Sequence, residues 1–111
     1  MQSFLAAGGR IAFMGEHGSY SPAENTRING ALSALGSTIS INNEVLDGGF
    51  RNASVGDGQI LAHSLTSGVN NYQYAAFAPL TVSGSAVALM LGEETYLGNA
   101  SVMMAYQNIG A

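Results

Sequence analysis

The chain has 111 residues, 47% of them hydrophobic and only 9% charged, with three basic and seven acidic side chains and a net charge of −4. That length suits one domain able to bury a core, but the charge content is far below the roughly 25% of ordinary soluble domains. The three basic residues, Arg10, Arg27 and Arg51, lie far apart and there is no lysine, so neither a basic patch nor a nucleic-acid partner is expected. Cysteine is absent, which rules out disulfides, zinc–thiolate sites, iron–sulfur clusters and thiol nucleophiles.

A lysine-free surface of Ser, Asn, Thr and Gly points to an exported protein, periplasmic, cell-surface or extracellular. The opening MQSFLAAGG carries no basic n-region and its apolar run is too short for a signal peptide. Residues 64–92 are uncharged but interrupted by Asn70, Asn71, Gln73 and Pro79, so no membrane span is expected.

In chain order, residues 2–7 read as the last turns of a helix closed by Gly8 and Gly9. Residues 11–14 (IAFM) are a short apolar run between Arg10 and Gly15, matching a strand buried on both faces of a parallel sheet. SPAE at residues 21–24 is a helix start, with Pro22 at the first helical position and Ser21 and Glu24 spaced for a capping box. Ile28, Leu32 and Leu35 then share one face and Gly36 ends the element, so a helix is expected over residues 22–35.

Residues 38–42 (TISIN) alternate and form a strand candidate, which would complete a strand–helix–strand unit with a parallel pair. Residues 43–58, with DGG at 47–49 and GDG at 56–58, read as a long turn-rich loop. Further strand candidates are residues 72–77, 85–91 and 102–107. No repeat of 20–50 residues is present.

FLAAGGRIAFMGE (residues 4–16), NTRINGALSALG (25–36) and HSLTSGV (63–69) together resemble non-catalytic relatives of the class I glutamine amidotransferase-like domain found in exported bacterial proteins with surface-sorting signals. The resemblance spans about residues 2–110. It implies a flavodoxin-like α/β fold with a mostly parallel sheet and flanking helices. It also implies an incomplete domain, lacking the family's first and last strands and leaning on the rest of its own polypeptide or on a protein partner. Catalytic members place a Cys nucleophile on the turn matching residues 15–18. This chain has Glu16 and His17 there, so the resemblance implies no glutaminase or thiol-protease activity.

Glu16 and His17 are the weak catalytic candidates, since an imidazole beside a carboxylate can act as a general base. Adjacent residues of an extended chain point to opposite faces, so the turn would have to bring them together. With Asn25 and Asn29, one helical turn apart, they are also the candidate ligand-binding residues, because open α/β sheets bind ligands at strand ends. A turn, capping or solvent-facing role stands beside each. His63 and Ser64 lack a Gly-x-Ser-x-Gly elbow. The aspartates at 47 and 57 have the composition of calcium loops without EF-hand spacing. No cofactor or metal is expected. The expected function is a non-enzymatic scaffold or a ligand- or partner-binding module. The alternatives are a hydrolase using Glu16 and His17, or an all-β surface or adhesive domain.

Overall fold

A computed structural model describes residues 1–110. Its elements in order are α1 (Gln2–Ala6), α2 (Pro22–Ala34), β1 (Ile39–Ile41), β2 (Leu46–Ser54), a 3-10 turn (Ser64–Thr66), β3 (Asn71–Phe77), β4 (Leu80–Val82), β5 (Val87–Tyr96) and β6 (Asn99–Tyr106). Every strand pair is antiparallel: β1 with β4, β2 with β3, and β5 with β6. The flavodoxin-like α/β fold with a mostly parallel sheet is therefore corrected to a mainly β architecture with two helices.

The physical reason lies at residues 9–17, which join no ladder. A parallel crossover needs both flanking strands in one sheet. Here β1 pairs instead with β4, a segment roughly forty positions on, in the register Ile39↔Val82 to Ile41↔Leu80. After this pairing the Asn42 N–H donates to the Pro79 carbonyl at 2.9 Å, and the ladder resumes with Leu46 opposite Phe77. The first two sheets are thus stretches of one bent ribbon.

Residues 43–58, expected as a loop, contain β2. The turn residues Asp47, Gly48 and Gly49 sit in a bulge between the Leu46 and Phe50 pairings, with Asp47 at φ 51° and Gly49 at φ 86°. A bulge absorbs extra residues and sharpens the local twist without ending the strand. β5 and β6 form a hairpin closed by Leu97 and Gly98, both at positive φ (51° and 81°), the conformation of a two-residue type I′ turn. Ile60 adds one antiparallel bridge to Met90, flanked by Leu61 N–H to the Leu89 carbonyl at 2.9 Å.

The core fills the space between ribbon and hairpin: Ala53, Ile60, Tyr74, Phe77, Leu89 and Met90 are buried together, with Leu46, Val69, Met103 and Tyr106 packed against them. Helix α2 stands apart from that core. Its one fully buried residue is polar, Asn25. Ile28 and Leu32 are only half-buried, and Leu35, just past the helix, is buried. The expected capping box does not form: Ser21 makes no side-chain cap, and Glu24 accepts from Arg27 Nη1 at 2.5 Å. Among the described residues, no helix is long and apolar enough to cross a membrane.

Candidate functional site

Asn25 and Asn29 act on backbone. The Asn25 Oδ1 accepts from the Glu16 N–H at 3.0 Å, and its Nδ2 donates to the Glu16 carbonyl at 2.6 Å and to Asn43 Oδ1 at 2.9 Å. One turn on, Asn29 Oδ1 accepts from the Ile41 N–H at 2.7 Å and its Nδ2 donates to the Ile41 carbonyl at 2.9 Å. A carboxamide offers one acceptor and two donors, so each side chain pairs with the N–H and C=O of one residue as a neighbouring strand would. The two amides fasten α2 to residue 16 and to β1. Gly15 has to be glycine for this approach, because a Cβ there would lie 2.8 Å from both Asn25 Oδ1 and Ile41 Cδ1.

Glu16 and His17 are adjacent, but their side chains do not meet as acid and base. The Glu16 carboxylate accepts from the backbone N–H of His17 at 3.1 Å. The His17 ring turns the other way, with Nδ1 3.0 Å from Ser19 Oγ and its plane tilted over Tyr20 at a centroid distance of 5.8 Å. Of the four sequence candidates, the structure therefore joins Glu16 to Asn25 through backbone, places Asn29 at Ile41, and sends the His17 ring toward Ser19. His63 and its neighbours form a local turn, in which His63 Nδ1 accepts from the Leu65 N–H at 3.1 Å and Thr66 Oγ1 donates to the Leu61 carbonyl at 2.6 Å.

The strongest polar cluster was not singled out as a site by sequence reasoning. Asp47 is fully buried. Its Oδ2 accepts from Tyr74 Oη at 2.7 Å and from the Glu93 N–H at 2.6 Å, and its Oδ1 accepts from the Glu94 N–H at 2.9 Å. Its own N–H donates to the Glu94 carboxylate. Arg51 completes the group, with Nε 3.6 Å from Asp47 Oδ1 and Nη1 3.1 Å from Glu93 Oε2. Four of the chain's few charged residues thus meet where β2, β3 and β5 come together.

Burial alone would raise the Asp47 carboxyl, yet the Tyr74 hydroxyl, the two amides and the Arg51 charge outweigh it and hold it below the usual carboxylate range. Burial, followed by the hydrogen bond to Asp47 and its negative charge, pushes the Tyr74 phenol up to about 12. The bulge aims Asp47 inward, and Asp tolerates the left-handed backbone it needs. A signal in the sequence was the Asp-Gly-Gly run beside a strand-forming segment, in a chain with few charges to spare.

Two surface concavities lie elsewhere. One is lined by residues of α1 with Ala34 and Leu35, the other by β4 and the β5–β6 turn. Neither is lined by Glu16, His17 or Asp47. Among the described residues, no three His, Asp or Glu side chains stand close enough to hold a metal.

No protein-family model, no curated protein and no solved structure matches this chain.

Proposed function

We propose that the chain is a non-enzymatic, mainly β binding module of an exported protein, of the surface or adhesive kind, which engages its partner by strand addition. One observation carries this reading. Among the described residues, no backbone N–H or C=O from residue 10 to residue 15 is hydrogen bonded, although residues 11–14 are apolar. Ile11 and Phe13 are half-buried while Ala12 and Met14 are exposed, the period-two pattern of a strand with one face covered. Unpaired, apolar strand backbone is a template for another strand.

The polar side chains support the same reading by being engaged elsewhere. Asp47, Tyr74, Asn25 and Asn29 are occupied by internal hydrogen bonds. A hydrolase reading finds its best support in the Ser19–His17 contact. However, the Glu16 carboxylate bonds backbone and does not orient the imidazole, which leaves the pair without the third group that nucleophile activation uses.

The test is titration of an isotope-labelled chain with a synthetic peptide alternating Val and Thr, N-methylated on every second amide so that it presents one pairing edge. Amide shifts and slowed hydrogen exchange at residues 10–15 are expected. Unchanged spectra at millimolar peptide would defeat the strand-addition reading. Labelling of Ser19 by a fluorophosphonate would favour the hydrolase.

A further inference from the structure

Resting on that reading, we infer that the strand added to residues 10–16 is the same segment of a second copy, running antiparallel with Phe13 opposite Phe13. The edge available is set by Glu16. Its N–H and C=O both face Asn25. In an extended chain the two groups of one residue point to the same side and alternate residues point to opposite sides. The N–H and C=O groups of Ile11, Phe13 and Gly15 therefore face away from α2. They can bond a partner strand without disturbing the Asn25 clasp.

Pairing about Phe13 sets Ile11 opposite Gly15 and Phe13 opposite itself as hydrogen-bonded pairs, for about six backbone bonds in all. The same register places Arg10 opposite Glu16, twice by symmetry, in the closer non-hydrogen-bonded positions. The two side chains have opposite charge, both residues are exposed, and neither forms an ion pair among the described residues. Opposite charges directly across an antiparallel pair stabilise it, and like charges oppose it. Ala12 then faces Met14, a residue 90% exposed in the single copy. A closed two-fold contact of this kind uses one patch on both partners and ends at two chains, so it does not grow into a fibre.

The experiment is sedimentation equilibrium of the full chain across a concentration series, with Arg10→Glu, Glu16→Arg and the double exchange. All of these substitutions are at exposed side chains, and near-ultraviolet circular dichroism verifies that each variant keeps its fold. A dimer is expected whose dissociation constant rises about tenfold or more in each single variant and returns close to the parent value in the double exchange. Because the chain has no cysteine, Ala12→Cys combined with Met14→Cys should give a disulfide-linked dimer on mild oxidation. A monomer at every concentration overturns the inference, as does a dimer indifferent to the charge variants. A monomer that still binds the Val/Thr peptide would remove the second copy as the occupant while leaving the binding-module reading intact.

Discussion

Tyr74 donates its phenolic proton to Asp47 across 2.7 Å, joining β3 to the β2 bulge at the place where the β5 backbone also donates to the same carboxylate. Replacing Asp47 by Asn keeps a residue tolerant of positive φ but removes the charge and sets an NH2 group against the N–H of either Glu93 or Glu94, since the two amides donate to different carboxylate oxygens. The expected loss is about 3 kcal/mol of unfolding free energy, read from urea melts. A change below about 0.5 kcal/mol would show that the cluster does not hold ribbon and hairpin together.

The same pair sets the pH range of stability. Tyr74 ionises near 10 when unfolded and at about 12 when folded, so its contribution is complete below pH 10 and is lost as pH rises from about 10 to about 12. Asp47 has a lowered carboxyl, so its contribution is present above pH 4 and is lost as pH falls below about 4. Melting temperatures should drop at both ends. Tyr74→Phe should flatten the alkaline limb, and a limb unchanged in that variant would assign it to another group.

At the other clasp, Asn25→Ala leaves the Glu16 N–H and C=O and the Asn43 Oδ1 without their carboxamide partner in a part-buried setting and should cost about 1–3 kcal/mol. Glu16→Ala and His17→Ala alter a turn that is largely exposed, and should each cost less than about 1 kcal/mol. Thermal denaturation of the three variants side by side distinguishes a structural amide from a pair that only shapes the turn.

Gly92 has no room for a side chain. A Cβ there would lie 2.5 Å from the Phe77 ring and 2.7 Å from Asp47 Oδ2. Gly92→Ala should therefore cost about 2 kcal/mol by overpacking and broaden the Phe77 ring resonances.

Leu97 predicts a change in the favourable direction. It holds φ 51° in a two-residue turn and is 82% exposed, so it has the backbone cost of the left-handed region with little packing in return. Leu97→Asn, giving the Asn-Gly sequence that type I′ turns favour, should raise stability by about 1 kcal/mol. A loss on calorimetry would mean that Leu97 packs against something it does not touch here.

Much of the local structure was legible. Pro22 and the spacing of Ile28, Leu32 and Leu35 located α2, and the apolar stretches after residue 70 located β3, β5 and β6. Pairing was not legible, because alternation along a segment such as residues 38–42 says that it is a strand and nothing about its neighbour. A helix between two strand candidates suggested a parallel crossover, whereas β1 found β4 and residues 11–14 joined no ladder. β2 was hidden by Asp47, Gly48 and Gly49, whose turn chemistry serves a bulge. Asn25 and Asn29 were visible as a pair at helical spacing, but their targets, the backbone N–H and C=O of Glu16 and of Ile41, depend on tertiary approach. The Asp47 cluster draws on residues from positions 47 to 94, a separation that no local pattern spans.

The amide clasp of α2 also determines which part of the molecule comes apart first. The helix is held largely by carboxamide bonds to the backbone of two residues, Glu16 and Ile41, and buries few of its own apolar side chains, so detaching it exposes little hydrocarbon to water. Such an opening has a small denaturant dependence and a free energy below that of global unfolding. Helix α2 should accordingly form its own cooperative unit in native-state hydrogen exchange, and each opening would briefly uncover the N–H and C=O of Ile41, converting a closed margin of β1 into a second open one.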